Sequence, residues 1–279
     1  MEFPVSGVEV SLIVPPLVAF AVSCLSALGG LSGAFLLLPF QMSVLGFTSP
    51  AVTATNLIFN VVAAPGGVYG YARQGRVAWP LAWIVLAGTL PGVFLGAWVR
   101  TRFLAEPRRI EVFVGLVLIG LGLNLLLGRV RAIGPPPASA RVRTLAVSLR
   151  AVEFDFAGKI YRFRPFPVAL LAIGVGLVGG IYGVGGAAII APFAVAVLGL
   201  PVYIVAGASL LGTFATSAAG VAFFHLLGTR PDWLLGGLFG LGGLAGTYAG
   251  ARLQRHVPER LIRAILGLLV AALGLAYVF

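Results

Sequence analysis

The sequence has few charged residues, and acidic residues are especially scarce. Of its 279 residues, 59% are hydrophobic, 10% are charged and only 8 are Asp or Glu. A soluble domain carries about 25% charged residues, so this composition excludes a water-soluble globule with a solvated surface. Long apolar runs that contain no Asp, Glu, Lys or Arg instead predict membrane-spanning helices.

Other absences limit the chemistry. Cys24 is the only cysteine, which excludes an intramolecular disulfide and a cysteine-based metal site. No Walker loop, Ser/His/Asp triad or cluster of metal ligands is present. We therefore expect no catalytic residues, no metal and no cofactor, and a chain that is not an enzyme. The N-terminus lacks a basic stretch and an A-x-A-like site, so no cleaved signal peptide is expected.

The net charge of +11 could indicate a nucleic-acid partner. The basic residues, however, lie between the apolar runs, where the positive-inside rule places them. We therefore expect the lipid bilayer as the partner and no nucleic acid, in a multi-pass protein of a bacterial-type inner (plasma) membrane. The sequence does not determine the oligomeric state.

The apolar runs form two sets of four. The first set covers residues 10–47, 50–71, 77–99 and 110–127, and the second covers residues 167–200, 202–227, 233–253 and 260–279. This pattern predicts an all-α polytopic membrane protein with one repeat in residues 1–127 and another in residues 166–279. Residues 128–165 form a basic connecting loop. Val152, Phe154 and Phe156 alternate with polar residues there, which fits either a small surface hairpin or a solvated loop.

The first run of each repeat is interrupted by glycines. Gly29-Gly30-Leu31-Ser32-Gly33 breaks the first, and the stretch from Gly179 to Gly186 breaks the second. When the chain is shifted by 153 positions, residues 30–68 match residues 183–221 at 12 of 39 positions, including matched Gly and Pro residues. The agreement indicates an internal duplication.

Each broken run fits two arrangements. As one helix, 34 residues would span about 50 Å, whereas the hydrocarbon core is about 30 Å thick. The run can be one kinked, tilted span or a re-entrant hairpin. With single spans the basic residues divide 11 to 8 between the two sides, and with hairpins they divide 14 to 5. The steeper asymmetry favours hairpins, which makes the repeats inverted, with both termini outside and the connecting loop in the cytoplasm.

The breaks are candidate substrate sites. Half-helices that restart near Ala34 and Ala187 would direct their N-termini, with free N–H groups and partial positive charge, at an anion. Two such breaks meeting at the midplane are a recurring transporter plan. Glycine also permits close helix packing, which is the use expected for Gly92-x-x-x-Gly96 and Gly246-x-x-x-Gly250.

The second helix of each repeat carries a polar face, which we interpret either as part of the site or as hydrogen bonding between helices. Weaker candidates are Gln41, Thr55, Asn124 and His225. Because charged residues lie only at the ends of the apolar runs, no buried cation is expected. The candidate substrate-binding residues are Gly29, Gly30, Ser32, Gly33, Thr53, Asn56, Asn60, Tyr182, Gly183, Gly185, Gly186, Ser209 and Thr213.

These motifs resemble those of the TauE/SafE family. The resemblance lies in the two Gly-rich starts, each with a downstream Pro, in the segment Ala51–Leu57, and in its counterpart Gly207–Leu211. It covers most of residues 10–278 except the connecting loop, which is unusually long and charged. The resemblance implies two repeats and transport of a small sulfur-containing anion such as sulfite, thiosulfate or an organosulfonate. Together with the paired breaks it predicts an exporter that works by alternating access around a midplane site. The alternative is a non-transporting membrane scaffold that recruits a partner through the basic loop.

Overall fold

Helices make up most of the chain, in the order predicted from the apolar runs. The computed structural model describes residues 2–28, 31–127, 140–185, 190, 194 and 200–279. Before the connecting loop lie α1 (Val14–Leu28), α2 (Ala34–Ser43), α3 (Pro50–Arg73), α4 (Trp79–Arg102) and α5 (Pro107–Leu127). After it lie α6 (Pro165–Tyr182), α7 (Val202–Leu226), α8 (Trp233–Leu253) and α9 (Glu259–Val278), with a 3-10 turn at Gln254–His256.

Six of these helices, α3 to α8, are long and apolar enough to cross a membrane. Large apolar side chains point away from the protein along them and along α1; Leu17 and Trp83, for example, are each 62% exposed. Such a surface is stable in lipid and unstable in water. The chain is therefore a multi-pass helical membrane protein, as predicted.

Local sequence explains where several helices begin. Pro50 and Pro165 stand in the first turns of α3 and α6, where the missing N–H costs nothing. Asp232 caps α8, because its Oδ1 accepts a hydrogen bond from the backbone N–H of Leu235 at 3.0 Å. The other carboxylate oxygen accepts from Ser6 Oγ at 2.9 Å, which ties the N-terminal segment to the start of α8.

Matched rows of glycine hold the two halves together. At Gly242, Gly246 and Gly250 of α8, an added Cβ would collide with successive backbone carbonyls of α1. The corresponding row in α4, Gly88, Gly92 and Gly96, meets α6 in the same way. Backbones approach this closely only where side chains are absent, so the packing use predicted for the two Gly-x-x-x-Gly motifs is confirmed.

The contacts also give the helix directions. Gly236 of α8 lies against Thr55 of α3, and Ala251 lies against Gly70, so α3 and α8 run parallel. The glycine row of α8 follows α1 in the same order, so α1 is parallel to both. The chain must therefore reverse direction twice between the end of α1 and the start of α3.

Helices α3 and α7 run in opposite directions. Gly67 of α3 lies against Leu210 of α7, and Gly220 of α7 lies against Leu57 of α3. Later residues of one helix thus meet earlier residues of the other, which makes α3 and α7 antiparallel. Each residue in these two contacts is the 153-position equivalent of a residue in the other contact, so the pairing is symmetric.

The connecting loop corrects the all-α prediction. It contains an antiparallel sheet of β1 (Val142–Val147), β2 (Val152–Phe156) and β3 (Lys159–Phe163), in that order. The β2–β3 hairpin confirms the surface-hairpin alternative, with Val152 opposite Phe163. The sequence did not predict β1, because five of its six residues are exposed and no alternation of apolar and polar residues marks it.

Candidate functional site

The first break brings the start of α2 to the middle of α3. Ser32 Oγ donates to Oδ1 of Asn60 in α3 and accepts from the backbone N–H of Ala34 at 3.2 Å. Gly33 packs on Ser23 of α1, where an added Cβ would collide with the serine hydroxyl. Ser32, Gly33 and Asn60 thus lie together, and the N-terminus of α2 points at this cluster.

Asn56 joins the two breaks. Its Nδ2 donates to the carbonyl of Ala34 at 2.9 Å and to the carbonyl of Gly183 at 3.0 Å. Its Oδ1 accepts from Gln41 Nε2 at 3.2 Å. A single buried amide therefore contacts the first residue of α2 and the residue that ends α6, so the two glycine breaks lie next to each other.

The second break is a left-handed turn that ends α6. Gly183 has φ +80° and Gly185 has φ +74°, a region that residues with a Cβ rarely adopt. An added Cβ at Gly183 would collide with Thr53 of α3, and at Gly185 it would collide with Ser217 of α7. Tyr182, just before the turn, donates its hydroxyl to the carbonyl of Phe35 at 2.8 Å.

The polar face of α7 differs from that of α3 in its hydrogen bonding. Ser209, Thr213 and Ser217 are at most 1% exposed, and among the described residues their hydroxyls have no hydrogen-bond partner. Buried hydroxyls normally have one. Gly185 packs on Thr213 and Ser217, so the side chains of these two residues lie at the second break.

Two buried arginines overturn the expectation that no cation is buried. Arg100 is fully buried and Arg76 is 2% exposed. Arg100 donates from Nε to Thr53 Oγ1 at 3.1 Å, from Nη2 to the Thr48 carbonyl at 3.3 Å and from Nη1 to the Leu104 carbonyl. All three acceptors are neutral, so the charge is solvated without being cancelled.

Sequence reasoning missed Arg100 because it terminates an apolar run together with Arg102, like other arginines that flank spans. The acceptors that bury it come from the start of α3 and from the turn after α4. No sequence signal separates Arg100 from Arg102, which lies two residues further along α4.

The remaining candidates from the sequence lie either outside the described residues or away from the paired breaks. Gly29, Gly30, Gly186 and the expected restart at Ala187 lie outside the described residues. Thr55 accepts from the backbone N–H of Asp232 at 2.8 Å and serves the packing of α3 on α8. Asn124 lines an apolar groove between α5 and α6. His225 is exposed in the last turn of α7.

Comparisons with known proteins agree with this architecture. The chain is 22% identical over 282 residues to "Probable membrane transporter protein YunE" of Bacillus subtilis (strain 168), an alignment that covers 97% of each chain. No solved structure matches the chain. The family described as "Sulfite exporter TauE/SafE" matches residues 16–277. That match covers nearly the whole chain and confirms the resemblance seen in the glycine motifs: the protein belongs to the TauE/SafE family.

Proposed function

We propose that this protein is a transporter that exports small sulfur-containing anions, such as sulfite, thiosulfate or organosulfonates. The family and the named relative support a membrane transporter. The observation that carries the proposal at the site is the double hydrogen bond of Asn56, which joins the two glycine breaks inside the membrane bundle.

The chemistry around the breaks favours an anion. The N-terminus of α2 at Ala34 carries partial positive charge. Arg100 adds a full charge whose three acceptors are neutral. The hydroxyls of Ser209, Thr213 and Ser217 add donors that lack partners among the described residues. An oxyanion has the acceptors to satisfy all of these groups.

We propose that the halves are inverted repeats and that residues 14–43 form a re-entrant hairpin. The antiparallel pairing of α3 with α7 supports the inversion. The parallel course of α1 and α3 supports the hairpin, because the chain between them must return toward the side it came from. Bare backbone at the hairpin tip is tolerated where protein covers it.

The position of Asn56 supports a proposal of alternating access. Its bonds to Ala34 and Gly183 connect the first half with the second. We propose that a substrate anion competes for these groups, so that one half can rock against the other while the site stays near the midplane.

Export of an anion from a cell with a negative interior is favourable by about 2.3 kcal/mol per charge for each 100 mV. The proposed transport therefore requires no nucleotide hydrolysis. Uptake against the same potential would require a coupled ion.

The test is flux from liposomes that contain the purified full chain, with a negative interior potential. Sulfite, thiosulfate or methanesulfonate should leave faster than from protein-free liposomes. Replacing both Ser209→Ala and Thr213→Val should reduce flux about tenfold or more, since hydrogen bonds to charged groups contribute about 1.5–3 kcal/mol. Asn124→Leu, which changes a membrane polar residue outside the site, should not. Absence of flux contradicts the function, and flux insensitive to the double variant contradicts only the site.

The alternative function, a membrane scaffold, would use the connecting loop to bind a partner. Its sheet is folded, and β1 with the following turn exposes Leu145, Val147 and Leu149, the last at 95%. A scaffold would lose its function on deletion of residues 138–162 and would tolerate larger residues at the glycine breaks. If the protein is a transporter, its function should instead tolerate the deletion better than larger residues at the glycine breaks.

A further inference from the structure

A second polar site, separate from the paired breaks, lies where α3 and α8 end. A cavity of about 430 Å³ is lined there by Gly70, Arg73, Gln74, Tyr248 and Arg252. Ligand pockets typically measure about 300–1,000 Å³. Two of the five lining residues are arginines and none is acidic, so the cavity is suited to an anionic group.

The arginines are presented for binding. Arg252 stacks on Tyr248, with Cζ 4.6 Å from the ring centroid, which orients the guanidinium and leaves its N–H edge free. Arg73 is exposed and forms no hydrogen bond or ion pair with the described residues. A guanidinium binds phosphate with two parallel hydrogen bonds, so this pair can hold one phosphate group.

The cavity lies at the ends of two candidate membrane spans, α3 and α8, where lipid headgroups are expected. The same end of the bundle carries the basic sheet, because the backbone N–H of Val142 in β1 donates to the Gly75 carbonyl just after α3 at 2.8 Å. Tyr69 stacks on Tyr248 with ring centroids 6.2 Å apart and is 57% exposed. Exposed tyrosines at helix ends are typical of the membrane–water interface.

The equivalent position in the other half is apolar. The counterparts of Gly70 and Arg73, at an offset of 153, are Phe223 and Leu226. Those of Tyr248 and Arg252, at the offset of 154 that relates the glycine rows, are Phe94 and Trp98. Phe94 and Phe223 contact each other edge to face with centroids 5.0 Å apart. The fold therefore does not require the arginines, and they mark one side of the membrane.

We propose that this cavity binds the headgroup of an anionic phospholipid, with its phosphate on Arg73 and Arg252. Gln74 selects among headgroups. Its Nε2 donates to the Gly70 carbonyl at 2.9 Å, and its buried Oε1 has no donor among the described residues. A hydroxyl on the headgroup can donate to Oε1, which makes phosphatidylglycerol the best fit. Basic pockets between membrane helices bind anionic headgroups by the same physics.

The test uses native mass spectrometry of the purified full chain in detergent, titrated with phosphatidylglycerol or phosphatidylcholine. One phosphatidylglycerol should be retained in preference to phosphatidylcholine. A basic side chain near an anionic surface strengthens binding about fivefold, so the double variant Arg73→Gln/Arg252→Gln should bind phosphatidylglycerol about 25-fold more weakly. The control Arg143→Gln/Arg150→Gln removes two exposed charges, one from β1 and one from the turn between β1 and β2, and should bind as the wild type does.

Three results would overturn the proposal. The first is that both double variants bind phosphatidylglycerol equally weakly. The second is that phosphatidylcholine is retained as well as phosphatidylglycerol. The third is that glycerol phosphate fully displaces the lipid, which would indicate a site for free anions. If the double variant does not fold, the wild type still decides: retention of phosphatidylglycerol must fall as salt is raised, and retention independent of salt contradicts a guanidinium–phosphate site.

Discussion

At the scale of single residues, Asn56 determines how the two breaks are held. Both hydrogens of its amide and its oxygen are used, and all the atoms involved are buried. The sequence identified Asn56 as part of a polar helical face. It could not identify the partners, because two of them are backbone carbonyls in distant segments and carbonyls carry no sequence signal.

Asn56→Leu should lower stability. A buried polar group left without a partner costs about 1–3 kcal/mol, and the change leaves the Ala34 and Gly183 carbonyls and the Gln41 amide without this partner. Thermal unfolding of the purified chain in detergent should show a clear fall in midpoint. Asn124→Leu is the matched control and should shift the midpoint little. Equal midpoints for the two variants would contradict the bridging role.

Arg100 should set the affinity for the anion. Any unit charge within about 8 Å of an anion contributes about 2 kcal/mol or more at an effective dielectric constant of about 20. Arg100→Gln should therefore raise KM for sulfite about tenfold or more in liposome flux. Arg100→Lys keeps the charge and loses the planar donor set, so it should raise KM less. A reduced kcat with unchanged KM in both variants would assign Arg100 to packing.

At the scale of helices, the sequence predicted most of the architecture. Apolar runs gave the six long helices, since their length is fixed by the hydrocarbon core, and the glycine rows gave two helix seams. The β1 strand and the burial of Arg76 and Arg100 were not predictable. Strand β1 pairs with β2 through backbone groups that any sequence supplies, and the burial of the arginines depends on how neighbouring segments fold over them.

Glycines in the two seams should respond to an added methyl group differently from a glycine outside them. Gly246→Ala forces a Cβ into the α1 backbone, and overpacking of this kind costs about 1–3 kcal/mol. Gly92→Ala should cost a similar amount, because the α4–α6 seam repeats the same contacts. Gly237→Ala, on the same helix as Gly246 but with open space at its Cβ, should be neutral or stabilising. The measurement is the thermal unfolding midpoint of each variant in the same detergent. An unchanged midpoint for Gly246→Ala would contradict the close approach of the α8 and α1 backbones.

At the scale of the whole molecule, the direction of the broken runs decides the topology. If residues 14–43 and the corresponding part of the second half are hairpins, an odd number of crossings separates the N-terminus from the sheet. The sheet and the turn after α7 then face opposite sides. If each broken run crosses once, the sheet and that turn face the same side.

Single cysteines at Ser148 and Arg230 distinguish these arrangements. Both positions are exposed, one after β1 and the other between α7 and α8. In a Cys24→Ser background, a membrane-impermeant thiol reagent applied to intact cells should label the Arg230→Cys variant. The Ser148→Cys variant should be labelled only after the membrane is permeabilised, since the positive-inside rule assigns the basic sheet to the cytoplasm. Labelling of both variants in intact cells, or of neither, would place the two positions on the same side of the membrane and refute the inverted repeats. The antiparallel pairing of α3 with α7 would then require the chain to take a different path through the membrane.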